Sequence, residues 1–149
     1  MKMRRVFQEW TFWSGLALFL WMALMPWLNQ TSAGDSTPVK VVKTSPTYAE
    51  EINNLKGLVI TIQFNREMDP AMQDDFLMDQ RGAVDGQGNP VEIQGELTWP
   101  DPKTLQFKPK QTLKPNSVYQ VSLFSVRAKD GEEMAGVPYR SVFTTGSGP

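Results

Sequence analysis

The chain has 149 residues, with 15 Lys and Arg against 16 Asp and Glu, so its formal charge is −1. It contains neither cysteine nor histidine, which excludes disulfides, thiolate and imidazole metal sites, thiol nucleophiles and Ser-His-Asp catalysis. The length fits one domain of ordinary size plus a tail.

Charge and aromatic residues are unevenly distributed. Residues 1–33 carry Lys2, Arg4, Arg5 and Glu9, net +2, which leaves 12 basic and 15 acidic groups, net −3, over residues 34–149. A weakly acidic main body with scattered lysines offers no footprint for nucleic acid. Four of the five tryptophans, Trp10, Trp13, Trp21 and Trp27, fall in the basic leading segment.

Residues 1–9 form a short basic terminus. Trp10 to Leu28 then gives 19 residues without a charge, about 28 Å as a helix and close to the hydrocarbon thickness of a bilayer. The sequence predicts a transmembrane helix over 10–28. Trp10 and Trp13 lie at one interface and Trp27 at the other, as an aromatic belt requires. Basic residues precede the span and acidic ones follow it. This orients residues 1–9 to the cytoplasm and the remainder to the periplasmic or extracellular side of the cytoplasmic membrane. A cleavable signal peptide is the competing reading, with Thr31-Ser32-Ala33 as an imperfect cleavage site. The span has no GxxxG pair, so nothing in it supports tight self-association. Residues 29–38, NQTSAGDSTP, are small, polar and breaker-rich, and read as a flexible linker.

From Val39 the pattern changes from helical to extended. Strands are expected over 39–44, 58–64, 91–99, 104–109, 118–124 and 140–145, with a weaker one over 76–79. In 58–64, Leu58, Ile60, Ile62 and Phe64 share one face, and Val59, Thr61 and Gln63 the other. Gly95 marks an expected bulge within 91–99. About seven short strands separated by Pro, Gly, Asn and Asp turns predict an all-β, antiparallel, immunoglobulin-like sandwich over 39–145, followed by a tail at 146–149.

Four blocks, "VKTSPT", "ITIQFNREMDPAM", "TLQFKPKQTLKPNSVYQVSL" and the closing "FTT", together resemble the bacterial Ig-like domain of the SbsA type. That resemblance covers Val39 to Thr145 and implies a module of surface and envelope proteins. The departure is "DQRGAVDGQGNPVEI", longer and more polar than the usual hairpin.

The segment FNREMDPAM, residues 64–72, is read as the end of a strand. Asp69 is positioned to cap a helical turn and Pro70 to occupy its first position, where no N–H is needed. Arg66 and Glu67 are expected to be solvated turn residues. The alternative is a metal site. Met68 and Met72 are four apart, so a helical turn would put two soft thioethers on one face, with Met78 or Met134 as further donors to copper(I). Copper-resistance proteins of the CopC type share a similar sandwich. That resemblance implies a copper(II) site built on imidazoles, which this chain lacks.

Asp79, Asp85 and Asn89 flank a Gly-rich loop and supply oxygens that calcium favours, although a polar hairpin accounts for them equally well. Tyr119, near the start of its strand and after "LKPNS", is expected to form a tyrosine corner. The adjacent acid pairs Glu50–Glu51, Asp74–Asp75 and Glu132–Glu133 do not form a two-carboxylate site, because neighbours in an extended chain point to opposite faces.

The sequence therefore predicts a non-catalytic extracytoplasmic module without a cofactor or small-molecule substrate. Its expected partners are the lipid bilayer and another integral membrane protein, which it serves as an accessory subunit. An exported surface module for adhesion or polysaccharide binding, and a Met-based copper(I) carrier, remain the alternatives.

Overall fold

The computed structural model describes residues 37–71 and 75–147. The expected span over 10–28 with Trp10, Trp13 and Trp27, most of the linker, Met72 and the last two residues lie outside the described residues. Among the described residues no helix is long and apolar enough to cross a membrane.

Among the described residues nine strands form two sheets. In chain order they are β1 (Val41–Ser45), β2 (Glu51–Ile52), β3 (Ile60–Phe64), β4 (Phe76–Val84), β5 (Pro90–Glu92), β6 (Gly95–Asp101), β7 (Thr104–Pro109), β8 (Ser117–Leu123) and β9 (Tyr139–Thr145). The four-stranded sheet has the order β1-β3-β7-β6, and the five-stranded sheet β2-β9-β8-β4-β5.

Period-2 alternation puts Ile60, Ile62, Phe64, Leu105 and Phe107 of the first sheet into one core with Met78, Tyr119, Val121, Leu123 and Phe143 of the second. Rings from the two sheets meet where Phe76 and Phe107 lie 4.6 Å apart. Burying each such large apolar side chain contributes roughly 1.5–3 kcal/mol.

Three expectations need correction. The weak strand over 76–79 is the longest among the described residues, with nine residues. It runs on through Gln80 to Val84 because β5 folds back on it as a hairpin partner. The single strand over 91–99 is two strands in different sheets, with the buried Ile93 at the crossing. Gly95 is no simple bulge: a Cβ there would overlap the Phe107 ring, so the missing side chain is what lets β6 start against β7. The sheets are also not wholly antiparallel. β2 pairs with β9 in parallel at Glu51↔Thr144 and Ile52↔Thr145, because the chain changes sheets after β1 without reversing direction.

Candidate functional site

The alternation of β3 does not stop at Phe64. Continued by twos it reaches Arg66 and Met68, and both are buried, at 4% and 2% exposure. Arg66 is therefore not the solvated turn residue expected from its charge. Its guanidinium donates through Nη1 to the Thr37 carbonyl at 2.8 Å and to the Glu132 carboxylate, and through Nη2 to the Asp130 carboxylate. The carboxylates are 38% and 41% exposed. The cation is thus withdrawn from water, while its anions sit at the rim and keep part of their hydration.

The backbone explains how a strand-ending arginine meets two acids more than sixty residues away. The stretch Glu67–Asp69 runs antiparallel to Arg127–Lys129 beyond the end of the sheet. The Lys129 N–H donates to the Glu67 carbonyl and the Asp69 N–H to the Arg127 carbonyl, each at 3.0 Å, with Met68 opposite Ala128. The segment from Val126 to Met134 is itself a hairpin, closed by Ala128 N–H to Glu132 O at 2.8 Å and Met134 N–H to Val126 O at 2.7 Å. Its tip aims Asp130 and Glu132, two residues apart and on one side, at Arg66. Two exposed pairs flank this contact: Arg127 with Asp69 at 2.9 Å, and Lys129 with Glu67 at 3.4 Å. Exposed pairs of this kind stabilise little, and the buried guanidinium is the structural element.

Asp69 and Pro70 close a turn, though not through a helix cap that the described residues display. The Ala71 N–H donates to Asp69 Oδ1 at 3.0 Å, over Pro70, and Arg127 donates to Oδ2. The Ala71 N–H, and after it the Arg127 guanidinium, hold the Asp69 carboxyl below the usual carboxylate range. Met72 lies outside the described residues. Met68, Met78 and Met134 are all members of the apolar core, where a flexible thioether fills gaps between rings and aliphatic chains.

Within the long hairpin the structure brings Asp85 and Asn89 together and leaves Asp79 in mid-strand, opposite Gln120 and Glu92. The Asp85 carboxylate accepts from the N–H groups of Gln87 and Asn89 at 2.8 and 2.9 Å. The Asn89 N–H and then the Gln87 N–H pull its pKa down. It organises its own turn, which is what the length and polarity of that hairpin require. Among the described residues no three His, Cys, Asp or Glu side chains are grouped as a metal site.

At the opposite end, the Tyr119 ring is buried and its hydroxyl accepts from the Lys114 N–H at 2.8 Å, the geometry of a tyrosine corner. Of the aromatic residues that a saccharide site would use, Trp99 is half-buried and stacks on Phe64 with centroids 6.0 Å apart. Tyr48 stands 74% exposed in the loop after β1. A shallow cleft of about 160 Å³ lies between Leu55–Leu58 and Pro109–Leu113, with buried Leu55 and Leu113 at its floor.

Sequence reasoning missed Arg66, Asp130 and Glu132. The signal was present in the sequence: Ile60, Ile62, Phe64, Arg66 and Met68 are one unbroken alternation, and the charge at its fourth place falls on the buried face.

Residues 35–145 match the family described as the bacterial Ig-like domain. The chain belongs to that family. No curated protein sequence matches the chain. Its Ig-like domain is similar to PcoC, a methionine-rich copper resistance protein from Escherichia coli, with a TM-score of 0.56 and 14% identity over 72% of this chain and 98% of that one. It is also similar to the S-layer protein SbsC, with a TM-score of 0.52 and 14% identity over 73% of this chain and 14% of that one. The chain thus spans a small part of the S-layer protein. At these identities the likeness is one of fold.

Proposed function

We propose that this chain is a non-catalytic Ig-like module. The apolar residues 10–28 hold it at the outer face of the cytoplasmic membrane, where it works as an accessory subunit that binds or braces a larger membrane protein complex. The observation that carries this reading is the direction of the charged groups. Arg66 draws Asp130 and Glu132 onto itself, Asp69 engages Arg127, and Asp85 engages its own turn. Side chains with the chemistry for acid–base work are used to fasten loops to a rigid two-sheet scaffold, which is what a docking domain needs. The uncharged, tryptophan-flanked 10–28 segment supports the anchor, and the short linker after it keeps the module within a few tens of ångströms of the bilayer.

Gentle detergent extraction followed by native electrophoresis tests the reading. We expect the chain in the membrane fraction, migrating with a larger partner. A chain that migrates alone at its own 16.8 kDa plus bound detergent would overturn the subunit role. N-terminal sequencing separates the anchor from a cleaved leader: a mature chain starting near Gly34 would replace the anchored module with an exported one.

A further inference from the structure

We infer that the cleft between the β2–β3 and β7–β8 loops is a binding site for a phosphate group carried on a sugar or glycerol backbone. This adds a ligand to the module proposed above and does not depend on its anchor.

Positive charge collects where the cleft lies. The stretches that wall it, residues 53–58 and 108–116, carry Lys56, Lys108, Lys110 and Lys114 and no acidic residue. Because these are four of the 12 basic groups in residues 34–149, the remainder holds 8 basic against 15 acidic groups. A basic patch on an acidic body marks a place for an anion. All four lysines are exposed, and none is in an ion pair among the described residues. Even Glu96, opposite Lys108 in the register of β6 and β7, forms no bridge with it. Like charges gathered without counter-charge repel one another, and an anion set among them relieves that repulsion.

The walls also supply neutral donors. The Thr112 hydroxyl, the Gln111 carboxamide and the N–H groups of Gln111, Thr112 and Leu113 make no hydrogen bond to another described residue. Leu113 is itself buried, and burial makes an unmet N–H the costliest of these. The side-chain types select phosphate over carboxylate. Elsewhere in this domain carboxylates are gripped by arginine, Asp130 and Glu132 by Arg66 and Asp69 by Arg127. The lysine pair Lys129–Glu67 is looser, at 3.4 Å. A guanidinium fork matches a planar carboxylate, whereas an ammonium is a point charge that meets a tetrahedral phosphate from any side. The cleft walls carry lysine and no arginine. Its volume of about 160 Å³ is close to that of a cavity that admits benzene. It therefore has room for a phosphate and its neighbouring carbons, which can rest on Leu55 and Leu113. No aromatic ring among the described residues lines it, so a nucleobase has nothing to stack on.

Amine labelling tests the site in the full chain. The protein, extracted in a detergent without phosphate groups, is acylated with and without glycerol 3-phosphate, and each lysine is read by peptide mass spectrometry. With ligand well above its dissociation constant, Lys56 and Lys110 should label at least about threefold more slowly. Lys40 and Lys43, exposed and away from the cleft, should be unchanged. Acetate at matched ionic strength controls for screening. Glycerol 3-phosphate should also raise the thermal midpoint, and the double variant Lys56→Gln, Lys110→Gln should abolish that rise. Reconstitution in phosphatidylglycerol bilayers distinguishes the source. Protection there without soluble ligand assigns the phosphate to a lipid headgroup, and protection by glycerol 3-phosphate alone assigns it to a soluble ligand. No protection in either setting, protection that acetate matches or that extends equally to Lys40 and Lys43, or a midpoint rise undiminished in the double variant overturns the inference.

Discussion

The two ends of the sandwich solve one problem with different chemistry. At each end, loops from both sheets must be fastened together over the core. At the end where the chain enters, a buried guanidinium gathers the Thr37 carbonyl and the tip of the hairpin between β8 and β9. At the other end the fastening is neutral. The Tyr119 hydroxyl accepts from the Lys114 N–H, while the Thr145 hydroxyl donates to the Lys114 carbonyl at 2.6 Å and accepts from the Ser117 N–H at 3.0 Å. A neutral hydroxyl is inexpensive to bury and satisfies one or two backbone groups. A guanidinium costs far more to desolvate but reaches three acceptors on two distant segments through one planar group. The charged end therefore ties distant parts of the chain together, and the neutral end closes a local corner.

The comparison is broken most sharply at Arg66. Arg66→Ala removes the buried cation and leaves Asp130 and Glu132 facing each other. The expected loss is about 3 kcal/mol, the lower end for a buried pair because both acids are partly wet. Arg66→Lys should recover less than half of it, since an ammonium lacks the planar fork. Chemical denaturation of the solubilised chain measures both. A loss no larger than that of an exposed pair would show that the guanidinium is fastening nothing. At the neutral end, Gly95→Ala forces a methyl into the Phe107 ring, for about 2 kcal/mol of overpacking. Tyr119→Phe leaves the Lys114 N–H without its acceptor, for about 1–2 kcal/mol. Thr145→Val, which removes a buried hydroxyl from the Lys114 carbonyl and the Ser117 N–H, should cost about 1 kcal/mol. An unchanged midpoint in Tyr119→Phe would refute the corner as a source of stability.

What the sequence disclosed follows the same division. The neutral end was legible because its devices are local. Tyr119 lies five residues from its partner, in a turn whose Pro and Asn announce themselves. The strand β7 was readable to the residue, since its alternation is bounded by "PDPK" and "KQT". The charged end was not legible, because its partners are separated by more than sixty residues and only the topology brings them together. Residue type alone assigns Arg66 to solvent, although the alternation from Ile60 puts it inside. The split of 91–99 between two sheets was hidden for a related reason. Alternation continues across a sheet change, and only the close approach of Gly95 to Phe107 reveals the crossing.

The smallest expected effect sharpens the comparison through pH. At the charged end Asp69 has its pKa lowered, first by the Ala71 N–H and then by Arg127. A carboxylate whose folded pKa lies below its unfolded value stabilises the fold above the unfolded value, about 3.9 for Asp. It loses that contribution as pH falls through the folded value. At the neutral end Thr145 carries no ionisable group. The destabilisation caused by Asp69→Asn should therefore be present at pH 7, shrink below about pH 4 and vanish once the wild-type carboxylate is protonated. That caused by Thr145→Val should stay constant over the same range. Because Asp69 is only partly buried, the shift in midpoint will be small, and its dependence on pH is the informative quantity. A Thr145→Val effect that follows pH as closely as that of Asp69→Asn would mean that the two ends are coupled, and the distinction between a charged and a neutral fastening would no longer hold.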